Sequence, residues 1–381
     1  MRVAVIVPGF SAGDDDWCIP ALLDLVRGLA SNHDIEVFAL RYPPVPRSYH
    51  VAGVRVHALG GGDLAGPRRL ALLLRAASAI RERHRAAPFD VLHGFWADEP
   101  GFMAVSLAAT FEIPSVVSVL GGELVDLPDI RYGGARSRLN RWLSSRALAR
   151  AERVTVGSAF LAEIVAASVA PRRLVALPLG VDTALFTSSG PNVALVGDPA
   201  ILSVGSLVPV KGHQTLLRAV AIASHDLPDI HLHLVGEGPE RPDLKRMARS
   251  LGLEARVTFH GAISHEQLPA YYRGASFCAL ASRYESQSLV LLEAAACARV
   301  TVGSAVGLLP EVTPADWLGP PDDPTRLARV IVAAAGDSAR RASVEQALTA
   351  EVDEHFSMDW TVSRLDRLYH DVACAATRHR D

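Results

Sequence analysis

Short runs of Val, Ile and Leu alternate with segments of helical periodicity along almost the whole chain. The runs lack the alternating polar residues of a strand with one solvated face, so they predict strands buried on both faces. Such strands are typical of parallel sheets, whose connections are helices. Strands are predicted at 3–7, 35–40, 53–59, 91–93, 115–120 and 153–157, then at 201–204, 230–235, 256–260, 276–281 and 299–302. Helices are predicted at 19–30 and 70–85, then at 214–223, 243–251, 267–273 and 289–298.

A polar, turn-rich stretch at 188–192 (Ser-Ser-Gly-Pro-Asn) interrupts this pattern, which restarts at Ile201. The 381 residues are enough for two domains at about 150 residues each. The predicted fold class is therefore α/β, with two doubly wound, Rossmann-like domains facing each other across a cleft. The first boundary is placed after residue 186 and the second after residue 356.

Composition and charge exclude several classes of protein. A formal charge of −3 argues against a nucleic-acid binder, which would carry a basic surface. The chain contains no apolar run long enough to span a bilayer, and its apolar opening, residues 1–9, is too short for a signal peptide. Cys18, Cys278, Cys297 and Cys374 have no zinc-site or disulfide spacing. We therefore expect a cytoplasmic protein.

Two carboxylates, Glu285 and Glu293, stand eight positions apart in the second half. On a helix that starts near Ser286 they would lie about 12 Å apart along the axis and roughly 80° apart around it. That separation suits a ligand with hydroxyls at both ends and phosphates between them. The phosphates would meet the free amides at the helix start, those of Gln287, Ser288 and Leu289. The alternative is a Glu favoured by the helix dipole plus a Glu in a surface turn.

Lys211 follows a predicted strand and precedes a predicted helix, where a lysine can meet a diphosphate as a point charge. A solvated loop lysine is the alternative. Glycines also follow two later strands, in Gly236-Glu237-Gly238 and in 303–307, where they would permit backbone to approach a ligand.

Taken in order, these segments resemble the retaining glycosyltransferases of family 4, which have the two-domain GT-B fold. The matching segments are Gly205 to Gly212, Gly236 to Pro239, Val257 to Gly261, Glu285 to Ala294, Gly303 to Gly307 with Glu311, and Pro178 to Asp182 with Phe186. The closing segment from Phe356 to Tyr369 resembles the last helix of the family, which returns to the first domain. The resemblance makes residues 1–186 the acceptor side, 187–356 the donor side and 357–381 the returning helix.

The resemblance implies a role for each matching residue. Glu285 would bind donor-sugar hydroxyls and Glu293 the ribose hydroxyls, while Lys211 would hold the departing diphosphate. The backbone at Gln287, Ser288 and Leu289 would hold the same diphosphate, the backbone near Ala262 and Ile263 would face the base, and Gly13 would approach the donor phosphates. Such enzymes use a nucleotide-diphosphate sugar as substrate, usually without a metal or other cofactor.

The sequence departs from the family pattern at two places, and two hypotheses about the function stay open. Ser206 stands where the family usually has an Arg that pairs with the Lys, so Lys211 acts alone or Arg283 substitutes. Gln287-Ser288 stands where the family often has Phe-Gly. The first hypothesis is a transferase with an unidentified acceptor of one of three classes: a glycan, a lipid-linked molecule or a small molecule. The alternative is a nucleotide-sugar-binding protein of the same fold with little or no transferase activity.

The first half offers fewer candidates. Leu120 stands where the family often has a His, and Glu123 is the candidate catalytic group that replaces it, or else a cap of the next segment. His93 and Trp96 are candidate acceptor or sugar contacts, with a structural strand-end histidine and core packing as the alternatives. Asp14, Asp15 and Asp16 are interpreted as helix-start charge rather than a metal site.

Two segments of the first half are strongly basic. Residues 67–88 hold six Arg and one Glu, and residues 131–153 hold seven Arg and one Glu. Basic amphipathic helices can lie on anionic membranes, but they can equally be solvated faces. Peripheral contact with an anionic membrane is therefore one of two open interpretations.

Overall fold

The computed structural model describes residues 1–13, 16, 18–64 and 66–378. Its strands are β1 (Arg2–Gly9), β2 (Asp34–Tyr42), β3 (Arg47–Val51), β4 (Val54–Ala58), β5 (Val91–Phe95), β6 (Ser115–Val119), β7 (Arg153–Val156), β8 (Leu174–Ala176), β9 (Ala200–Val204), β10 (His231–Val235), β11 (Val257–Gly261), β12 (Phe277–Leu280), β13 (Thr301–Ser304) and β14 (Leu318–Gly319). Its α-helices are α1 (Pro20–Leu29), α2 (Pro67–Ala86), α3 (Glu99–Phe111), α4 (Arg138–Arg150), α5 (Ala159–Ala166), α6 (His213–Ala223), α7 (Arg241–Ser250), α8 (Leu268–Gly274), α9 (Leu289–Ala296), α10 (Leu309–Val312), α11 (Pro324–Gly336), α12 (Ser338–His355) and α13 (Met358–Arg378).

The chain divides into two compact units, each with its own sheet. The first unit comprises Met1–Gly180 and Met358–Asp381, and the second comprises Val181–Ser357. The first boundary lies at Gly180 rather than after residue 186, because Val181 and Phe186 are buried in the core of the second unit. Among the described residues, no helix has both the length and the apolar character that crossing a bilayer requires.

The sheet of the first unit has the strand order β3-β4-β2-β1-β5-β6-β7-β8. All neighbouring strands are parallel except β3, which runs antiparallel to β4. The predicted parallel, doubly wound arrangement is confirmed. The prediction missed β3 because only Val51 in it is buried, so no apolar run marks that strand.

The sheet of the second unit is parallel throughout, with the order β11-β10-β9-β12-β13-β14. One continuous core of buried aliphatic and aromatic side chains covers both faces, with Trp317 and Tyr272 as its largest members. Burial on both faces explains the apolar runs of β9 and β12. In β10, His231 and His233 alternate with leucines, and both rings are hydrogen-bonded.

The last helix, α13, packs against α1 in the first unit. The approach is close, because a Cβ at Gly28 would lie 2.5 Å from Cγ2 of Val362. The hydroxyl of Thr361 donates to the carbonyl of Pro178 at 3.0 Å. The C-terminal segment is therefore part of the first unit's core.

His93 on β5 is a structural residue in this core. Its side chain has no exposed surface, and both ring nitrogens are hydrogen-bonded, Nδ1 to Tyr369 Oη at 2.7 Å and Nε2 to Ser118 Oγ at 2.8 Å. Burial lowers the pKa of His93 to about 3, so the ring is neutral at physiological pH. This corrects the expectation that His93 contacts a sugar or acceptor, because its side chain has neither surface nor a hydrogen-bonding atom to offer.

Candidate functional site

The second unit has a topological switch point between β9 and β12. The chain runs from β9 through β10 to β11 on one side, and then crosses to β12 on the other side of β9. Loops that leave neighbouring strands in opposite directions open a crevice at the carboxyl edge of the sheet, which is where ligands of such folds bind. The two loops at this point carry Lys211 and Glu285.

Lys211 and Glu285 form an ion pair across the switch point. Nζ of Lys211 donates to Oε1 of Glu285 at 2.6 Å, and the hydroxyl of Ser282 donates to the same oxygen, also at 2.6 Å. The Glu285 side chain is 10% exposed and that of Lys211 25%, so both groups remain within reach of a ligand. Ser282 is fully buried and fixes the carboxylate from behind.

Two glycines allow the loop that carries Glu285 to pack closely against its neighbours. Gly212 has φ of 64°, and a Cβ there would lie 2.0 Å from the carbonyl oxygen of Ala281. Gly307 has φ of 60°, and a Cβ there would lie 2.8 Å from Cβ of Glu285. A side chain at Gly212 would push the Lys211 loop away from the Glu285 loop, and one at Gly307 would push the loop after β13 away from Glu285. Glycine adopts these left-handed dihedral angles at the least cost.

The helix after Glu285 begins at Leu289, the start predicted from periodicity. The start near Ser286, on which the expected separation of Glu285 and Glu293 depended, is wrong because Ser288 has a left-handed φ of 85°. Glu285 therefore lies on a loop ahead of the helix, and Glu293 lies near the middle of α9. The separation of about 12 Å expected for two residues on one helix does not apply to them. The hydroxyl of Ser288 is buried without a hydrogen-bond partner in the described structure, beside the first amides of α9.

Glu293 is buried and held at both carboxylate oxygens. The hydroxyl of Tyr272 donates to Oε2 at 2.7 Å, and Nε2 of His265 lies 3.5 Å from Oε1. Burial, followed by the negative charge of Glu293, raises the pKa of Tyr272 well above its usual value, so the hydroxyl keeps its proton. The carboxylate is thus oriented before any ligand arrives.

The other predicted donor-site residues lie on loops at the same edge of the second sheet. Ser206 is exposed directly after β9, and Ala262 and Ile263 follow β11, with Ala262 exposed and Ile263 half-buried. Arg283 pairs through Nε with Asp322 Oδ2 at 2.7 Å, so its charge is matched by a carboxylate.

Sequence reasoning missed the side chains that support Glu285 and Glu293. Ser282, Tyr272 and His265 become visible only through the contacts above, since their spacing carries no motif. His213 was also unassigned; it is buried beside Lys211, and burial together with the lysine's charge lowers its pKa to about 4. A neutral His213 leaves Lys211 as the positive charge of this loop.

In the first unit, Glu123 caps backbone rather than facing a ligand. Its carboxylate accepts from the amides of Gly121 at 2.8 Å, Leu120 at 3.2 Å and Ala97 at 3.3 Å, and the residue is 4% exposed. This corrects its assignment as a catalytic group in favour of the capping alternative.

Trp96 and Gly13 follow β5 and β1, at the switch point of the first unit. Trp96 is half-buried with φ of 72°, and its indole lies against Gly121, where a Cβ would be 2.5 Å from Nε1. Nothing lies within 4 Å of a Cβ built on Gly13. Both positions remain predicted contacts.

Asp14 and Asp15 lie outside the described residues, and Asp16 accepts from the amide of Ala12 at 2.7 Å. Across the described ranges, no three His, Cys, Asp or Glu side chains converge as metal ligands would.

The protonation of Glu123 gives a stability prediction. Burial raises its pKa from 4.5 to about 7, so the folded state holds a proton that the unfolded chain releases. The stabilisation of the folded state by this bound proton is fully present below about pH 4.5 and is lost as the pH rises through about 7. Between about pH 5 and pH 8, the unfolding free energy of the parent should fall by about 2 kcal/mol relative to Glu123→Gln. Urea denaturation of both proteins at the two pH values checks this, and parallel pH profiles would contradict it.

Two family models match the chain. "Glycosyl transferase 4-like domain" matches residues 19–180 and "Glycosyl transferases group 1" matches residues 198–337. D-inositol 3-phosphate glycosyltransferase of Mycolicibacterium gilvum is 28% identical, covering 79% of this chain and 72% of that protein. A GDP-mannose-dependent phosphatidylinositol monomannoside mannosyltransferase of Mycolicibacterium smegmatis is 36% identical, covering 35% of this chain and 39% of its own length.

Solved structures show the same fold. Sucrose-phosphate synthase from Thermosynechococcus elongatus superposes with a TM-score of 0.80 at 24% identity, covering 98% of this chain and 99% of that one. Anabaena HepE in complex with UDP and glucose superposes with a TM-score of 0.76 at 17% identity, covering 97% and 100%. With both family models and these structures in agreement, the chain belongs to the family 4 (group 1) glycosyltransferases and has the two Rossmann-like domains of the GT-B fold.

Proposed function

We propose that the protein transfers a sugar from a nucleoside-diphosphate sugar to an acceptor hydroxyl, with retention of anomeric configuration and without a metal ion. The observation that carries the proposal is the Lys211–Glu285 pair at the switch point of the second unit. It places a cation for the diphosphate beside a carboxylate for the sugar hydroxyls.

The proposed donor lies along the carboxyl edge of the second sheet. Glu293, held by Tyr272 and His265, accepts from the ribose hydroxyls. The unpartnered hydroxyl of Ser288 and the first amides of α9 hold the diphosphate, because helix N-termini favour anions. The base lies against the backbone at Ala262 and Ile263.

In the reaction, the bond between the sugar's anomeric carbon and the diphosphate oxygen breaks, and the diphosphate leaves with the electron pair. The acceptor oxygen bonds to the anomeric carbon on the same face, and its proton passes to the leaving diphosphate. Lys211 and the α9 amides stabilise the charge that develops there. Glu285 orients the sugar through its hydroxyls, and Ser282 keeps that carboxylate in place.

Relatives support the choice of donor and acceptor class. Structures of Anabaena HepE contain UDP and UDP-glucose, and several curated relatives are named for inositol phosphate. We propose a phosphorylated polyol as the acceptor, either free or as a lipid headgroup, and a cytoplasmic site of action. Retention is proposed from family membership, and the metal-independent step from the positive charge that Lys211 and α9 supply.

A thermal-shift panel of nucleoside diphosphates and their sugars tests the donor site. A ligand at about 100 times its dissociation constant should add roughly 2.7 kcal/mol of stability. We expect the melting temperature of the parent to rise with nucleotides of one base, and we expect no such rise in Glu293→Gln. In a sugar-transfer assay, Lys211→Gln should lower kcat by about 100- to 1,000-fold. Lys245→Gln is the matched control, because Lys245 is the chain's other lysine and lies on α7, beside Phe259.

The outcomes separate the two functions. Donor binding without turnover, with every polyol phosphate tested, would favour the nucleotide-sugar-binding alternative. The site assignment would be wrong if Glu293→Gln bound donors like the parent, or if Lys245→Gln lost as much activity as Lys211→Gln.

Tyr272 should act as a positioning residue for Glu293. Tyr272→Phe removes the donor to Oε2, so the carboxylate is less well fixed for the ribose, and the donor KM should rise about tenfold with little change in kcat. Tyr271→Phe, a substitution at the neighbouring position, should leave KM unchanged. Steady-state kinetics on both variants check this; equal effects in the two, or a fall in kcat alone, would remove Tyr272 from the donor site.

A further inference from the structure

Large hydrophobic side chains are exposed in a cluster of segments in the first unit. They are Val45 (64% exposed), Leu74 (62%), Leu70 (61%), Leu139 (48%), Trp142 (48%) and Tyr42 (40%). In the described part of the second unit, by comparison, only Val196 and Ile222 are of this kind. Exposed apolar residues are ordinary when scattered, but a concentration of them marks an interaction surface.

These six residues share one edge of the first sheet. Tyr42 ends β2 and Val45 follows it, at the carboxyl edge. Leu70 and Leu74 lie in the first two turns of α2, and Leu139 and Trp142 in the first two turns of α4. Helices that follow parallel strands begin at the carboxyl edge, so the six side chains lie around that edge.

α2 and α4 belong to one layer, because α3 packs against both of them. Trp142 contacts Phe102 of α3, with ring centroids 5.3 Å apart. We call the exposed set of Leu70, Leu74, Leu139 and Trp142 the α2–α4 surface.

The charges of the α2–α4 surface are of one sign. Arg68, Arg75, Arg138, Arg141 and Arg146 are exposed on the same two helices. α4 contains no acidic residue, and the one acid of α2, Glu82, lies four turns from its start. The guanidinium of Arg146 lies 5.6 Å from the centre of the Trp142 ring. The exposed acids of the segments that precede α2 and α4 are Asp63, Asp126 and Asp129, and the acid that begins α3, Glu99, is buried against Arg41 and Arg69.

We propose that the α2–α4 surface docks on an anionic lipid bilayer, with the leucines and Trp142 entering the interface and the arginines contacting lipid phosphates. Exposed Leu and Trp flanked by Arg match the two components of interfacial binding, apolar burial and attraction to anionic headgroups. Docking would hold the carboxyl edge of the first sheet at the membrane. The proposal goes beyond sugar transfer and stands or falls independently of it, because its test measures vesicle binding alone.

The exposed leucines of α2 and α4 favour membrane docking over a solvated face, which the positive charge of these helices alone could not do. A purely solvated face would carry arginines without exposed leucines at helical i, i+4 spacing, as in Leu70 and Leu74. A nucleic-acid surface would carry positive charge, but the overall charge of −3 and the aliphatic side chains do not suit it.

Vesicle co-sedimentation of the full chain tests the proposal. We expect binding to vesicles of phosphatidylcholine mixed with phosphatidylglycerol, weak binding to phosphatidylcholine alone, and a loss of binding at high salt. Leu70→Ser combined with Leu74→Ser should weaken binding by roughly tenfold or more, and so should Arg138→Gln combined with Arg141→Gln. All four positions are exposed, so circular dichroism melts should match the parent.

Matched controls come from α6 of the second unit, where Ile222→Ser and Arg218→Gln alter an exposed hydrophobe and an exposed arginine. Both should bind vesicles like the parent. A blue shift of tryptophan emission on vesicles, lost in Trp142→Phe, would place Trp142 in the interface. The proposal is overturned if the parent does not bind anionic vesicles, if the controls weaken binding equally, or if the double Leu variant instead abolishes self-association in analytical ultracentrifugation.

Discussion

The contact between Lys211 and Glu285 is the interaction on which the site depends. It joins two loops 74 residues apart in the sequence, and it forms because β9 and β12 are neighbours while the chain departs from them in opposite directions. Gly212 permits the approach, since its missing Cβ leaves room for the Ala281 carbonyl. The ion pair thus depends on both the strand order at the switch point and the glycine at position 212, and the proposed donor site depends on the ion pair.

Buried acids in the first unit, like Glu285 and Glu293 in the second, are held by partners within the fold. Glu99 is held by Arg41 at 2.7 and 2.8 Å and also by Arg69. Burial alone would raise the pKa of Glu36, but hydrogen bonds from Arg83 and His57 hold it well below its usual range. Each of these acids has two or more arginine or histidine partners, and such groups stabilise the native state only as complete networks.

Pattern and burial explain what could be predicted and what could not. Strands buried on both faces, such as β1 and β12, were predictable because their buried positions are occupied by apolar residues. β3 was not, because it is mostly exposed, and the left-handed Ser288 that leaves Glu285 outside α9 was not, because no residue pattern marks it. Glu285, Glu293 and Lys211 could be proposed from residue type and order, whereas the roles of Ser282 and Tyr272 are visible only in three dimensions.

Amide hydrogen exchange with and without a nucleoside diphosphate tests the central claim most directly, because it reports where the ligand binds without requiring an acceptor. A donor site at Lys211 and Glu285 predicts slower exchange in the segments 205–212, 261–265 and 285–293. Protection confined to the first unit, or spread evenly over the chain, would contradict a donor site built on Lys211 and Glu285.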